Sequence, residues 1–138
     1  MKAHRPAAIV LLGDVQATRP LNDEVADILA LTQVAWIPGN HDADSPSDFD
    51  HLFNSALAGR NLHGRVITVA GTRIAGLGGV FREKVWMPPA EPIYGSAAEL
   101  LRDTKRTARG RGGLPLKHRS AIFHKDYLHL ARLQADMR

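Results

Sequence analysis

Four polar residues in the first third of the chain have the types and the spacing to do chemistry: Asp14, Asn40, His41 and Asp42. A carboxylate has two oxygens and can bridge two cations, and an asparagine carbonyl is a neutral, hard ligand for one of them. Two divalent ions about 3.5–4 Å apart can clamp a phosphate and activate a water between them. An imidazole beside such ions can stabilise developing charge or protonate a leaving oxygen. Asp42 could orient that imidazole or hydrogen-bond its other nitrogen. Cysteine is absent, so any metal must be held by oxygen and imidazole, which points to hard or borderline divalent ions.

These residues act together only if the fold gathers them. Ala7–Leu12 is a continuous apolar run closed by Gly13-Asp14. It reads as a strand buried on both faces, of the parallel-sheet type. Val34–Ile37 is a second apolar strand, stopped by Pro38-Gly39. Between them, Asn22 can cap a helix, with Asp23 and Glu24 favourably placed in its first turn. Val25, Ile28 and Leu29 follow at helical spacing. The result is a β-α-β unit with parallel strands. Ligands bind at the carboxyl ends of such strands, and all four polar residues fall there.

The rest of the chain must flank this unit. Ser47 or Asp48 can start a helix carrying Phe49, Leu52, Phe53 and Leu57. Arg65–Val69 and Arg73–Leu77, separated by Ala70-Gly71-Thr72, give a hairpin signal. Val80–Ile93 contains three prolines and no period and reads as an irregular loop. Ala97–Ala108 reads as a helix and Arg109–Pro115 as a mobile loop. Lys125–Met137 reads as an amphipathic helix with Tyr127, Leu128, Leu130, Ala131 and Leu133 on its apolar side. The expected fold class is α/β: a β-α-β unit plus a hairpin flanked by helices, in one domain, 1–138.

The strand-GD element Ile9-Val10-Leu11-Leu12-Gly13-Asp14 and the strand-GNHD element Trp36-Ile37-Pro38-Gly39-Asn40-His41-Asp42 resemble the second and third motifs of the calcineurin-like metallophosphoesterases. The run Ile74-Ala75-Gly76-Leu77-Gly78-Gly79 is similar to the strand that follows in many members. The resemblance is best over 1–79 and fainter over 80–138, a loop and helices. It implies a partial metallophosphoesterase fold and hydrolysis of a phosphomonoester or phosphodiester by a metal-activated water. It implies two divalent ions of the Mn, Fe, Zn or Mg class, with Asp14 as bridging ligand and Asn40 as a ligand of the second. His41 would be the transition-state stabiliser or general acid, and Asp42 a support behind these groups.

The departures are specific. The family's first motif, Asp-x-His, has no counterpart before Asp14. Its lone His and its Gly-His-x-His pair have none after Asp42. Ala17 stands where many members carry a second acid. The chain therefore reads as a truncated domain whose missing motifs a partner chain could supply. Asp14 and Asn40 are too few to hold two ions tightly, since each needs roughly four to six ligands. Weak metal binding and impaired turnover are expected.

The net charge is +4, unevenly spread. The stretch Arg102–Arg119 holds seven Lys or Arg and one acid, Asp103. A solvated basic face is the plain reading of such a stretch. The alternative is a non-catalytic remnant that binds nucleic acid phosphates through it, although few aromatics are interleaved there for base stacking. Gly76, Gly78 and Gly79 follow a strand but precede no capped helix, so close packing explains them better than a phosphate cradle. Arg82, near these glycines, could meet a substrate phosphate. His51, His63, His118, His124 and His129 are scattered and read as surface or satisfied histidines. No apolar run approaches the roughly 18–20 residues of a membrane helix. The apolar run after Lys2 and Arg5 is too short for a leader, so the expected location is cytoplasmic.

Overall fold

The computed structural model describes residues 4–107 and 114–136. Strand β1 (Ala8–Leu12) and strand β2 (Gln33–Ile37) pair in parallel, with Ala8 opposite Gln33 and Leu12 opposite Ile37. The expected crossover is present but is broken into two short helices, α1 (Leu21–Glu24) and α2 (Ala26–Leu29). Asn22 is not the cap. Pro20 precedes the first helical residue, and its fixed φ suits a helix start. Asn22 lies inside α1, where its side-chain oxygen accepts the Ala56 N–H at 3.1 Å. Val25, with φ −108° and ψ 20°, interrupts the helical backbone.

β2 is the buried centre of the fold. Val34, Ala35 and Trp36 are sealed from solvent. Its second edge is occupied too: the Leu62 N–H donates to Trp36 O at 2.8 Å. Trp36 Nε1 donates to Leu57 O at 2.8 Å, so its one polar atom is satisfied. Around it pack Leu21, Val25, Val34, Leu52 and Leu57, with Phe53 edge-on to the indole. β1 differs from expectation. Its residues are half-buried and Leu12 is 79% exposed, because β2 is its only strand partner among the described residues.

Helix α3 (Pro46–Phe53) starts at Ser45, whose hydroxyl accepts the Asp48 N–H at 3.1 Å, with Pro46 as first residue. This pairing of cap and proline is favourable. A single 3₁₀ turn at Ala58–Arg60 leads into the hairpin. The hairpin is as expected: β3 (Arg65–Val69) and β4 (Thr72–Gly76) are antiparallel. The turn residues Ala70 and Gly71 both have positive φ, as a two-residue primed turn requires.

A second core forms from Val85, Trp86, Leu100, Ala121, Ile122 and Phe123. Helix α4 (Ala97–Thr107) supplies Leu100, and helix α5 (His124–Ala135) follows Phe123. The expected apolar side of α5 is not sealed: Tyr127 is 48% and Leu128 38% exposed. Tyr127, Leu130 and Ala131 instead face Val66 and Ala75 of the hairpin across an open groove of about 450 Å³. The expected loop at 109–115 lies largely outside the described residues.

His63 ties the two halves. Its Nδ1 accepts the Gly78 N–H at 3.2 Å, and its Nε2 lies 3.2 Å from the Asp126 carboxylate. Asp126 also accepts the Phe123 N–H at 2.9 Å, capping α5. Burial acts to raise the Asp126 pKa, but the hydrogen bonds from His63 and from the Phe123 backbone outweigh it and hold it below its ordinary value. Stability from this group is therefore complete above the ordinary carboxylate range and is lost as pH falls through the lowered folded value. Replacing Asp126 by Ala should cost about 1–2 kcal/mol in urea unfolding at neutral pH, and the difference from wild type should shrink in acid.

Candidate functional site

The parallel register brings the ends of β1 and β2 to one level, and the two loops that leave them touch. Gly13, with φ 88°, lies against Gly39: a Cβ on Gly13 would sit 2.9 Å from Gly39 Cα. A Cβ on Gly39 would collide with the Asp14 carboxylate. Only glycine permits this backbone approach. Past Gly13, Asp14 and Gln16 adopt φ of 50° and 47°, a left-handed conformation that costs a non-glycine residue energy and needs surrounding support.

Asp42 supplies that support. It is fully buried. Its Oδ2 accepts N–H groups from Asp14 at 2.8 Å and Gly39 at 2.7 Å, and its Oδ1 accepts the Gln16 N–H at 3.2 Å. One carboxylate thus holds both loops. The expectation that Asp42 orients the His41 imidazole is not met, because its oxygens are turned to backbone. That contact belongs to Asp44, whose Oδ2 lies 2.7 Å from His41 Nδ1. Asp44 is not among the residues that the sequence pattern singles out. The available signal was its position three residues after His41, within reach across a single turn.

Asp14, Asn40 and His41 are solvent-exposed at this edge. The His41 backbone N–H donates to Asp14 Oδ1 at 2.9 Å, leaving Asp14 Oδ2 uncommitted. The hydrogen bond and charge of Asp44 raise the His41 pKa above its ordinary value, and Asp14 and Asp42 add smaller upward pulls against slight desolvation. The imidazole is thus biased toward its protonated, proton-donating form. Ala17, by contrast, is core, and its carbonyl is 2.7 Å from His51 Nδ1.

The calcineurin-like phosphoesterase family model matches residues 1–133. The chain belongs to this family. A Haemophilus influenzae (strain ATCC 51907 / DSM 11121 / KW20 / Rd) protein named "Uncharacterized protein" is 40% identical over 137 residues, covering 99% of this chain and 60% of that protein. The chain thus spans about 60% of the length of this relative. No solved structure matches it. The mixed α/β architecture, with its β-α-β unit and hairpin, accords with a partial fold of the family.

Family members are phosphoesterases that typically bind divalent metals. The residues present do not fit two ions. Asp14 Oδ2 and the Asn40 carbonyl are suitable oxygens, but Asp42 is consumed by backbone. Among the described residues, no group of three or more His, Asp or Glu is placed to hold a metal. Among them, too, no helix is long and apolar enough to cross a membrane. The basic stretch 102–119 falls partly outside the described residues, and Arg119 is occupied, lying 4.9 Å over the Phe49 ring.

Three substitutions test the geometry. Replacing Asp42 by Ala should orphan three N–H groups and cost about 3 kcal/mol or more in denaturant unfolding. Asp42→Asn, which keeps one acceptor oxygen, should cost less. Asp44→Asn should return the His41 pKa toward its ordinary value in an NMR titration; an unchanged pKa would refute the assigned pairing.

Proposed function

We propose that this chain carries part of the site of a metal-dependent phosphoesterase that hydrolyses a phosphomonoester or phosphodiester, and that by itself it is impaired. The observation that carries the reading is the 2.9 Å link from the His41 N–H to Asp14 Oδ1 at the carboxyl edge of the parallel strands. It holds the carboxylate against the main chain of His41, with one acid oxygen and the Asn40 carbonyl open. Divalent ions at such an edge would polarise the phosphate and activate water, but the described residues bring no group of three or more ligands together, so a partner chain is one source of the further ligands they need. His41, its pKa raised by the hydrogen bond and charge of Asp44, is suited to stabilise negative charge on the phosphate or to give its proton to the leaving oxygen.

Calorimetric titration with manganese and hydrolysis of bis(p-nitrophenyl) phosphate test both halves of the proposal. Weak manganese binding, lost in Asp14→Ala, is expected. Trace turnover, abolished by chelator and lowered at least about a hundredfold by His41→Ala, is expected with it. Robust turnover by the purified chain would remove the impairment; manganese binding that ignores Asp14→Ala would remove the site.

A further inference from the structure

We propose that a cationic pocket formed by Arg82, Lys84, Lys117 and His118 binds a phosphate group. The proposal uses none of Asp14, Asn40 or His41 and holds whether or not the chain turns over substrate.

The pocket is built by pairing distant segments. Val80 lies alongside Ala121: the Val80 N–H donates to Ser120 O at 2.8 Å, and the Ile122 N–H donates to Val80 O at 2.9 Å. Just beyond this pairing the chain turns tightly, with the Val85 and Trp86 N–H groups both donating to Arg82 O, at 2.8 and 2.7 Å. Trp86 anchors the turn against Phe81 and His124. Arg82 and Lys84 on this turn then face Lys117 and His118, on the 3₁₀ turn Leu116–His118, across a cavity of about 410 Å³.

The charge balance in this cavity is one-sided. Glu83 is its single carboxylate lining residue, and among the described residues no ion pair joins it to any of the three cations. Two side-chain nitrogens are also left without partners: Arg82 Nε and His118 Nδ1 are buried and make no hydrogen bond. Such groups are rare in folded proteins and call for an explanation. Burial first, and then Lys117, Arg82 and Lys84, push the His118 pKa down, which agrees with three cations converging on the imidazole.

A tetrahedral dianion answers all of this at once. Its oxygens can take a guanidinium N–H and an imidazole N–H while two ammonium groups balance its charge. Phe81, 37% exposed at the rim, offers an apolar wall to the organic part of a phosphate ester. The phosphate could arrive free or as part of such an ester.

The test is calorimetric titration of the full chain in EDTA at low ionic strength, which removes any metal-held phosphate. Inorganic phosphate should bind. Arg82→Ala should weaken it roughly tenfold or more, as for loss of a charge-assisted hydrogen bond. The double variant Lys84→Ala/Lys117→Ala alters exposed side chains and decides the matter if Arg82→Ala proves misfolded by circular dichroism. Asp14→Ala should bind phosphate as wild type does. Phenyl phosphate binding tighter than inorganic phosphate would support an ester ligand, and equal affinity would support free phosphate, each within the same site. No binding to wild type, undiminished binding in the double variant, or loss of binding in Asp14→Ala would overturn the proposal.

Discussion

The candidate site depends on one buried carboxylate. Asp42 is sealed from water and accepts N–H groups from Gly39 on its own loop and from Asp14 and Gln16 on the other. A buried charge is costly unless its hydrogen-bonding capacity is filled, and here three backbone donors fill it. Two of these bonds hold Asp14 and Gln16 in left-handed conformations that their side chains disfavour. The two glycines are part of the same arrangement. With a Cβ at either Gly13 or Gly39 the loops would stand apart, and no single carboxylate could reach both.

This clamp needs a rigid base, which β2 provides. Trp36 fills the space between the crossover helices and α3, and pairing on both edges of β2 leaves little freedom for the loop that follows. The later glycines act in the same way. Added side chains at Gly76 and Gly78 would run into Leu62 and into Ile37 and Pro38. Their job is close backbone packing, which lets the Gly79 N–H donate to Pro38 O at 2.6 Å. The hairpin, its glycine-rich exit and the Pro38–Gly39 turn are thereby one connected layer, closed at its far side by the His63–Asp126 contact with α5.

What could be read from the sequence follows from how local each signal is. The hairpin turn was legible because Ala70-Gly71 sits between two β-rich runs, and positive φ is a local demand. The gathering of Asp14 with Asn40 and His41 was legible because parallel strands joined by one crossover must end on the same edge. The burial of β1 was not: its apolar run looks like that of β2, but burial depends on how many neighbours flank a strand, which the run does not encode. The start of the first helix was misplaced because Asn22 carries a capping side chain, while Pro20 set the boundary earlier through its backbone. The choice between Asp42 and Asp44 as partner of the imidazole was beyond pattern alone. Both lie within reach of His41 along the chain, and only the path of the turn decides which carboxylate points inward and which stays beside the ring. Arg82 and His118 meet through the Val80–Ala121 pairing, which no local period announces.

The edge is therefore organised by the protein before any ion arrives. In many metal sites the ligands repel one another until the cation neutralises them, and the site forms with the metal. Here the charge of Asp42 is answered by backbone dipoles, Asp14 is held through one oxygen by the His41 N–H, and His41 is held through one nitrogen by Asp44. Asp14 and His41 each use one side-chain atom in these contacts and keep another uncommitted. Under the proposed reading, what is short is the number of ligands. Added donors would meet a surface already set, so little binding energy would be spent on reorganisation and more would remain for holding ions and phosphate.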